Sequence, residues 1–223
     1  MTQTTAQPPS DRTRVRRIPE LAHYDRATLH AIVDAAYLCH VAFADDKGTH
    51  CIPTACWREG DYLYIHSTNG GRLVKQLLRG TQACVTLTHL DGLVLARSAF
   101  NTGMNFRSAM VYGVFEPVAD KRAALEALMD KLVPGRQAEV RPGNDKEFAA
   151  TTVLRISLAE AACKVRSGGP NDDAADLALP VWAGTLPLVL QAAPAVADPQ
   201  CSVAVPDYVR RWAAGTLANG SEI

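Results

Sequence analysis

No sign of charge predominates in this 223-residue chain: 23 lysines and arginines face 23 aspartates and glutamates, a formal net charge of zero. A general nucleic-acid or anionic-membrane surface needs an excess of cations, so neither is expected. Long apolar runs are also missing. The longest, around Leu186–Val196, is interrupted by Pro187, Gln191 and Pro194, which argues against a membrane-spanning helix. The start, MTQTTAQPPSDRTRVRR, is polar and then basic with no apolar segment behind it, unlike a secretory signal. A flexible arm over residues 1–15 and a cytoplasmic location are the expectation. The six cysteines (Cys39, Cys51, Cys56, Cys84, Cys163, Cys201) are dispersed, with no CxxC and no clustered Cys/His spacing. No metal site is expected, and the thiols read as buried and reduced. No GxGxxG follows a strand, and no nucleophile with its base or paired-carboxylate site is recognisable.

What is present is mainly alternation. Leu29, Ile32, Val33 and Ala36 recur at helical spacing behind the candidate caps Asp25 and Thr28. The period then changes to two over Leu38–Ala44, His50–Trp57 and Tyr62–Ser67, with turns at Asp45–Gly48 and Glu59–Asp61, which predicts an antiparallel meander. A short helix over Gly71–Arg79 closes at Gly80. A strand pair folded at Asp91-Gly92 is expected next, followed by one strand ending near Pro117. A helix from Asp120 to Val133, a strand over Thr152–Ser157 and another over Ala162–Arg166 complete the pattern. Many short antiparallel strands with a few helices outside make an α+β, mainly β, barrel rather than an alternating Rossmann chain. Trp57, Tyr62 and Tyr64 read as strand packing. After Gly168 the chain turns rich in Pro, Ala and Asp. The division expected is an arm over 1–15, a barrel over 16–168 and an extension over 169–223 that wraps the barrel or a partner subunit.

The stretch YIHSTNGGRLVKQLL, Tyr64 to Leu78, supports two readings. Asn69-Gly70-Gly71 is an ordinary turn. It is also a phosphate cradle, with hydroxyls at Ser67 and Thr68, glycines that allow close approach, and the cations Arg72 and Lys75. Arg97, Ser98, Asn105, Arg107 and Ser108 interrupt apolar strands, so they either face solvent or line a ligand site. His66 at a strand end is either structural or functional.

The chain resembles the pyridoxamine 5′-phosphate oxidase-like FMN-binding split barrels, in particular the branch of flavin-nucleotide-binding proteins related to nitroimidazole-resistance proteins. The resemblance runs from Arg16 to Trp182 through HVAF, IPTACWREGDYLYIHS, GGRLVKQL, CVTLTHLDGLVLARSAF, MNFRSAMVYG and WAG in order. It implies an antiparallel split barrel, FMN as cofactor and a homodimer with the cofactor at the interface. By the same resemblance, Cys51, Ile52, Pro53 and Thr54 lie along the flavin ring, and His66, Ser67 and Arg72 meet its phosphate region. Thr68 or Lys75 would supply what Gly71-Arg72-Leu73 lacks against the family's Ser-Arg-Lys. Asn105, Arg107 and Ser108 would reach the cofactor from across the dimer, Arg107 on the phosphate, with Trp182 nearby. The implied activity is flavin-mediated hydride transfer to or from a small organic substrate. Ala55 stands where the oxidases carry a substrate lysine, and no Arg-x-His motif follows Trp182, so pyridoxamine phosphate oxidation is not the expectation. A flavin- or haem-binding protein without turnover is the alternative, with His40, His66 or His89 as axial ligand; a deazaflavin barrel would call for a longer basic cradle.

Overall fold

The computed structural model describes residues 7–213, so the first six residues of the expected arm and the last ten of the expected extension lie outside the described residues. The chain begins with β1 (Ala22–His23) and α1 (Arg26–Ala35), then runs through β2 (Leu38–Asp45), β3 (Gly48–Glu59) and β4 (Tyr62–Thr68). After α2 (Arg72–Leu77) come the long strands β5 (Gln82–Leu95) and β6 (Gly103–Val114), then β7 (Glu116–Pro117) and α3 (Lys121–Leu132). The helix α4 (Asp145–Ala150) leads into β8 (Thr151–Ser157) and β9 (Ala161–Arg166), followed by β10 (Gly184–Pro187) and α5 (Asp207–Ala213).

All strand pairs are antiparallel, in the order β1-β9-β6-β5-β2-β3-β4-β8-β7, with β10 added to β5. β8 and β9 are joined by a short turn yet pair with β4 and β6, far apart along that path. That connection curls the sheet into the expected barrel. Ile32, Val33, Val41, Leu63, Val85, Val111 and Ile156 fill its interior, and α1 and α2 plug it with Leu29, Ile32, Leu73, Val74 and Leu77. The caps follow from composition: Asp25 accepts from the Thr28 amide and Asp120 from the Ala123 amide. A smaller cluster, Trp57, Tyr64, Val153, Ala124 and Leu128, seats α3 on the outer face of β3, β4 and β8.

Two expectations are corrected. Asp91-Gly92 is not a hairpin turn but a bulge inside the single strand β5, where pairing with β6 shifts between Leu90 and Gly92. Gly92 serves β10 instead: a Cβ there would stand 2.9 Å from the Leu186 carbonyl oxygen, so glycine admits this strand alongside. Nor are all six cysteines buried. Cys51 and Cys201 are exposed, because the strand alternation turns Cys51 to the outer face of β3. From Ser10 onward the N-terminal segment is tied down: Ser10 and Arg12 both bond Glu160, and Thr13 is buried. α4 and β10 were not read from the sequence. The Asn144/Glu147 capping box that starts α4 was the available signal.

Gly92→Ala is expected to release β10, seen as faster amide hydrogen exchange over Gly184–Pro187 with little change elsewhere. Leu63→Ala, at a fully buried site, is expected to cost about 2–5 kcal/mol in denaturant unfolding.

Candidate functional site

The ladder between β3 and β4 is short. It pairs only Cys56 to Glu59 with Ile65 to Tyr62. Beyond it, β3 stays bonded to β2 as far as Gly48, and β4 stays bonded to β8 as far as Thr68. The two strands therefore diverge, leaving one backbone edge of Cys51–Thr54 and one edge of His66–Thr68 without a ladder partner. Backbone groups withdrawn from a ladder must be satisfied elsewhere. A flat heteroaromatic ring with donors and acceptors along its rim suits such an edge.

At the end of this cleft, Ser67, Thr68, Gly71 and Arg72 converge. A Cβ at Gly71 would lie 3.3 Å from the Thr68 carbonyl oxygen and 3.4 Å from Ser67 Oγ, a tight fit, so the glycine is favoured by space rather than by its backbone angles. Arg72 is exposed, and its Nη1 lies 3.3 Å from His50 Nδ1, while His50 Nε2 lies 2.8 Å from Asp45 Oδ1. The Asp45 side chain is only 5% exposed. Its bond to His50, with help from the Lys47 amide, holds its carboxyl below the usual range. As a carboxylate it makes His50 Nε2 the donor, which leaves Nδ1 to accept from Arg72. Asp45, His50 and Arg72 thus form a relay that aims the guanidinium. Lys75 follows one turn on, exposed. Among the described residues neither Arg72 nor Lys75 makes a direct ion pair; the Asp45 carboxylate, one histidine away from Arg72, offsets part of the positive charge of the corner. α2 spans six residues and contributes little macrodipole. The side chains carry the attraction for an anion.

His66 does not join Ser67. Neighbours on a strand point to opposite faces, and His66 lies on the outer face with Trp57 and Tyr64, its ring 6.2 Å from the Trp57 ring. Its Nδ1 is buried without a hydrogen-bond partner among the described residues. Burial lowers its pKa, so the imidazole is neutral near pH 7. Of the other histidines singled out, His89 is fixed by Nε2 at 2.9 Å from the Ile32 carbonyl, and His40 is exposed on the outer face of β2.

The remaining sequence-predicted residues lie apart. Asn105, Arg107 and Ser108 are on β6, separated from β3 by β2 and β5, which at about 4.8 Å per strand is about 14 Å. Each has a partner within the chain. Asn105 donates to the Gly168 carbonyl and accepts from Arg166, and Ser108 Oγ lies 3.3 Å from the Lys164 carbonyl. Arg107 grips Asp91 with two bonds of 2.9 and 2.8 Å, which raises its already high pKa. Trp182 is 63% exposed and folds over Gly184. One chain therefore assembles Cys51–Thr54, Ser67, Thr68, Arg72 and Lys75, and leaves Asn105, Arg107, Ser108 and Trp182 elsewhere. Sequence reasoning missed Asp45 and His50. Asp45 was read only as a turn, although alternation with Ile52 places His50 on the inner face beside it.

Among the described residues no helix covers the outer face of β2, β3, β5 and β6. This face presents Leu38 (60% exposed), His40, Cys51, Pro53, Met110 and Val114.

The family model described as pyridoxamine 5′-phosphate oxidase matches residues 25–165. No curated protein sequence matches the chain. Among solved structures, the flavocytochrome Anf3 from Azotobacter vinelandii is 43% identical, over 93% of this chain and 99% of that one, with a TM-score of 0.88. The FAD and haem binding protein from Mycobacterium smegmatis is 35% identical over 86% of this chain and 97% of that one, TM-score 0.82. A Bacteroides thetaiotaomicron protein named for 5-nitroimidazole antibiotic resistance is 25% identical over 65% and 86%, TM-score 0.54. With its split antiparallel barrel and this match across most of its length, the chain belongs to the pyridoxamine 5′-phosphate oxidase family.

Proposed function

We propose that the chain is a flavin-binding redox protein of the flavocytochrome type, acting as a homodimer. The observation that carries this reading is the corner itself: two hydroxyls, a closely packed glycine and a guanidinium aimed by Asp45 and His50, at the end of a cleft with unpaired backbone. Those residues fit a flavin nucleotide, and two relatives above 30% identity are named for flavin chemistry, as a flavocytochrome and as a FAD and haem binding protein. Ser67, Thr68, Arg72 and Lys75 would hold the phosphate, and the free edge of Cys51–Thr54 would bond the ring rim. A bound flavin supplies hydride and electron transfer; the protein binds, orients and shields it. The sequence-based expectation was FMN. FAD, the flavin named for the Mycobacterium smegmatis relative, presents a phosphate to the same corner.

A second copy is the natural cover for the bare outer sheet face, whose Leu38, Met110 and Val114 are costly to leave in water. The partner's β6 would then supply the Asn105–Ser108 group that one chain keeps about 14 Å away. His66 favours haem as second cofactor: its imidazole is neutral and half-buried, whereas His89 is already engaged.

Purified protein is expected to show two flavin bands and a Soret band, with acid releasing the flavin for identification by mass. A colourless protein that takes up neither FMN nor FAD sinks the cofactor assignment. Arg72→Ala removes charge-assisted bonds worth about 1.5–3 kcal/mol and is expected to raise the flavin Kd roughly ten- to hundredfold. His66→Ala is expected to abolish the Soret band and keep the flavin bands. Light scattering should give twice the 24.0 kDa of one chain, and Met110→Glu should return it toward the monomer.

A further inference from the structure

After β10 the chain leaves the barrel and returns close to where it left. β6 pairs with β5 from Gln82 to Val94, so β10 takes the other edge of β5, the edge that β2 occupies over Cys84–Thr86. Lying opposite Gly92–Leu95, β10 continues the line of β2 beyond Leu38, and the Leu188 amide donates to the Asp91 carbonyl at 3.0 Å. The return is fixed by α5. Its Tyr208 is buried, with the hydroxyl 2.8 Å from both Arg136 Nη1 and Glu139 Oε2, and its Trp212 ring lies 6.3 Å from that of Tyr37, the neighbour of Leu38. Residues 189–205 therefore form a loop pinned at both ends beside the start of β2. A loop of that length can reach roughly 25 Å from its base.

The composition of this loop is not that of a solvated connection. From Leu188 to Pro206, LVLQAAPAVADPQCSVAVP, Asp198 is the single charged residue. Val189, Leu190, Val196 and Val203 are 79, 92, 95 and 75% exposed, and Leu186, Leu188 and Val205 are partly exposed beside them. Among the described residues the hydrogen bonds of the loop join only its own members: Asp198 accepts from the Gln200 and Cys201 amides, and Cys201 Sγ faces the Val203 carbonyl. Together the apolar side chains leave on the order of 800 Å² in water, more than monomers usually expose and what one partner contributes to a standard interface. Depletion of charge is also the mark of an interface core. Pro194, Pro199 and Pro206 restrict the free loop, which lowers the cost of ordering it against a partner. A second copy is the occupant these features favour. The base of the loop adjoins Leu38, at one end of the bare outer sheet face, and a twofold axis through that face carries each loop to the other chain. A lipid surface is disfavoured, because no lysine or arginine lies between Trp182 and Arg210.

We infer that residues 189–205 are an arm that lies against a second copy of the chain, the two arms being exchanged reciprocally. The inference rests on the homodimer reading above. In the test, the dimer Kd of the full chain is measured by analytical ultracentrifugation over a dilution series. Leu190→Asp and Val196→Asp should each raise it roughly ten- to hundredfold, the worth of one such side chain withdrawn from water. Either change placed in the Met110→Glu monomer should leave its melting temperature as it was, since both positions stand in water within one chain. Amide hydrogen exchange over residues 189–205 should be slow in the dimer and fast in that monomer. A wild-type dimer whose Kd neither substitution moves, or whose arm exchanges as fast as in the monomer, overturns the arm and leaves the homodimer reading standing. Flotation of wild type with phosphatidylcholine vesicles, lost in both variants, assigns the loop to a lipid surface and overturns the arm as well. A wild-type chain that stays monomeric overturns the homodimer reading and this inference with it.

Discussion

Everything at the site depends on where one backbone ladder stops. β3 and β4 part after Cys56 and Ile65, although each continues to pair with its other neighbour. A barrel is stable when its strands satisfy one another all round, and here that closure is withheld over a few residues. The loss is tolerated because the rest is well anchored. Leu63, Ile65 and Ile156 are fully buried on the inner face of β4 and β8, and Trp57, Tyr64 and Val153 lock α3 on the outer face. Packing on both faces of the strands beside the split makes it a preformed cleft.

The same divergence sets the electrostatics. Once β4 leaves β3, its last residues turn through Gly70 and Gly71 into α2, and Arg72 arrives at the end of the β2–β3 hairpin. There it meets His50, already oriented by Asp45. A nearly buried carboxylate fixes the histidine tautomer, and the tautomer fixes the guanidinium. Among the described residues Arg72 and Lys75 make no ion pair, while several arginines elsewhere do: Arg107 with Asp91, Arg97 with Asp172, Arg58 with Asp34.

β5 shows how one extra residue organises a second region. The bulge at Asp91 turns its carboxylate to Arg107 and its carbonyl to Leu188, and Gly92 lets β10 lie alongside. The C-terminal segment is thereby fastened to the barrel near the start of β6. The residues expected to act from across a dimer, Asn105 to Ser108, and Trp182 belong to this neighbourhood rather than to the cleft.

By itself the sequence determined what depends on neighbours along the chain. Period-two alternation gave β2, β3 and β4, the Asp25 and Asp120 caps set the starts of α1 and α3, and Gly-Gly-Arg after a strand marked the corner. These signals are local, and so they survive without coordinates. Tertiary structure decided the rest. Asp91-Gly92 has the chemistry of a hairpin turn and became a bulge, where Gly92 gives room to β10, about a hundred residues on. Ser67 and His66 are adjacent in sequence and serve opposite faces of a strand. Asp45 and His50 acquire their role only when Arg72 is brought to them. No local pattern encodes these features, because each requires chain segments that meet only on folding.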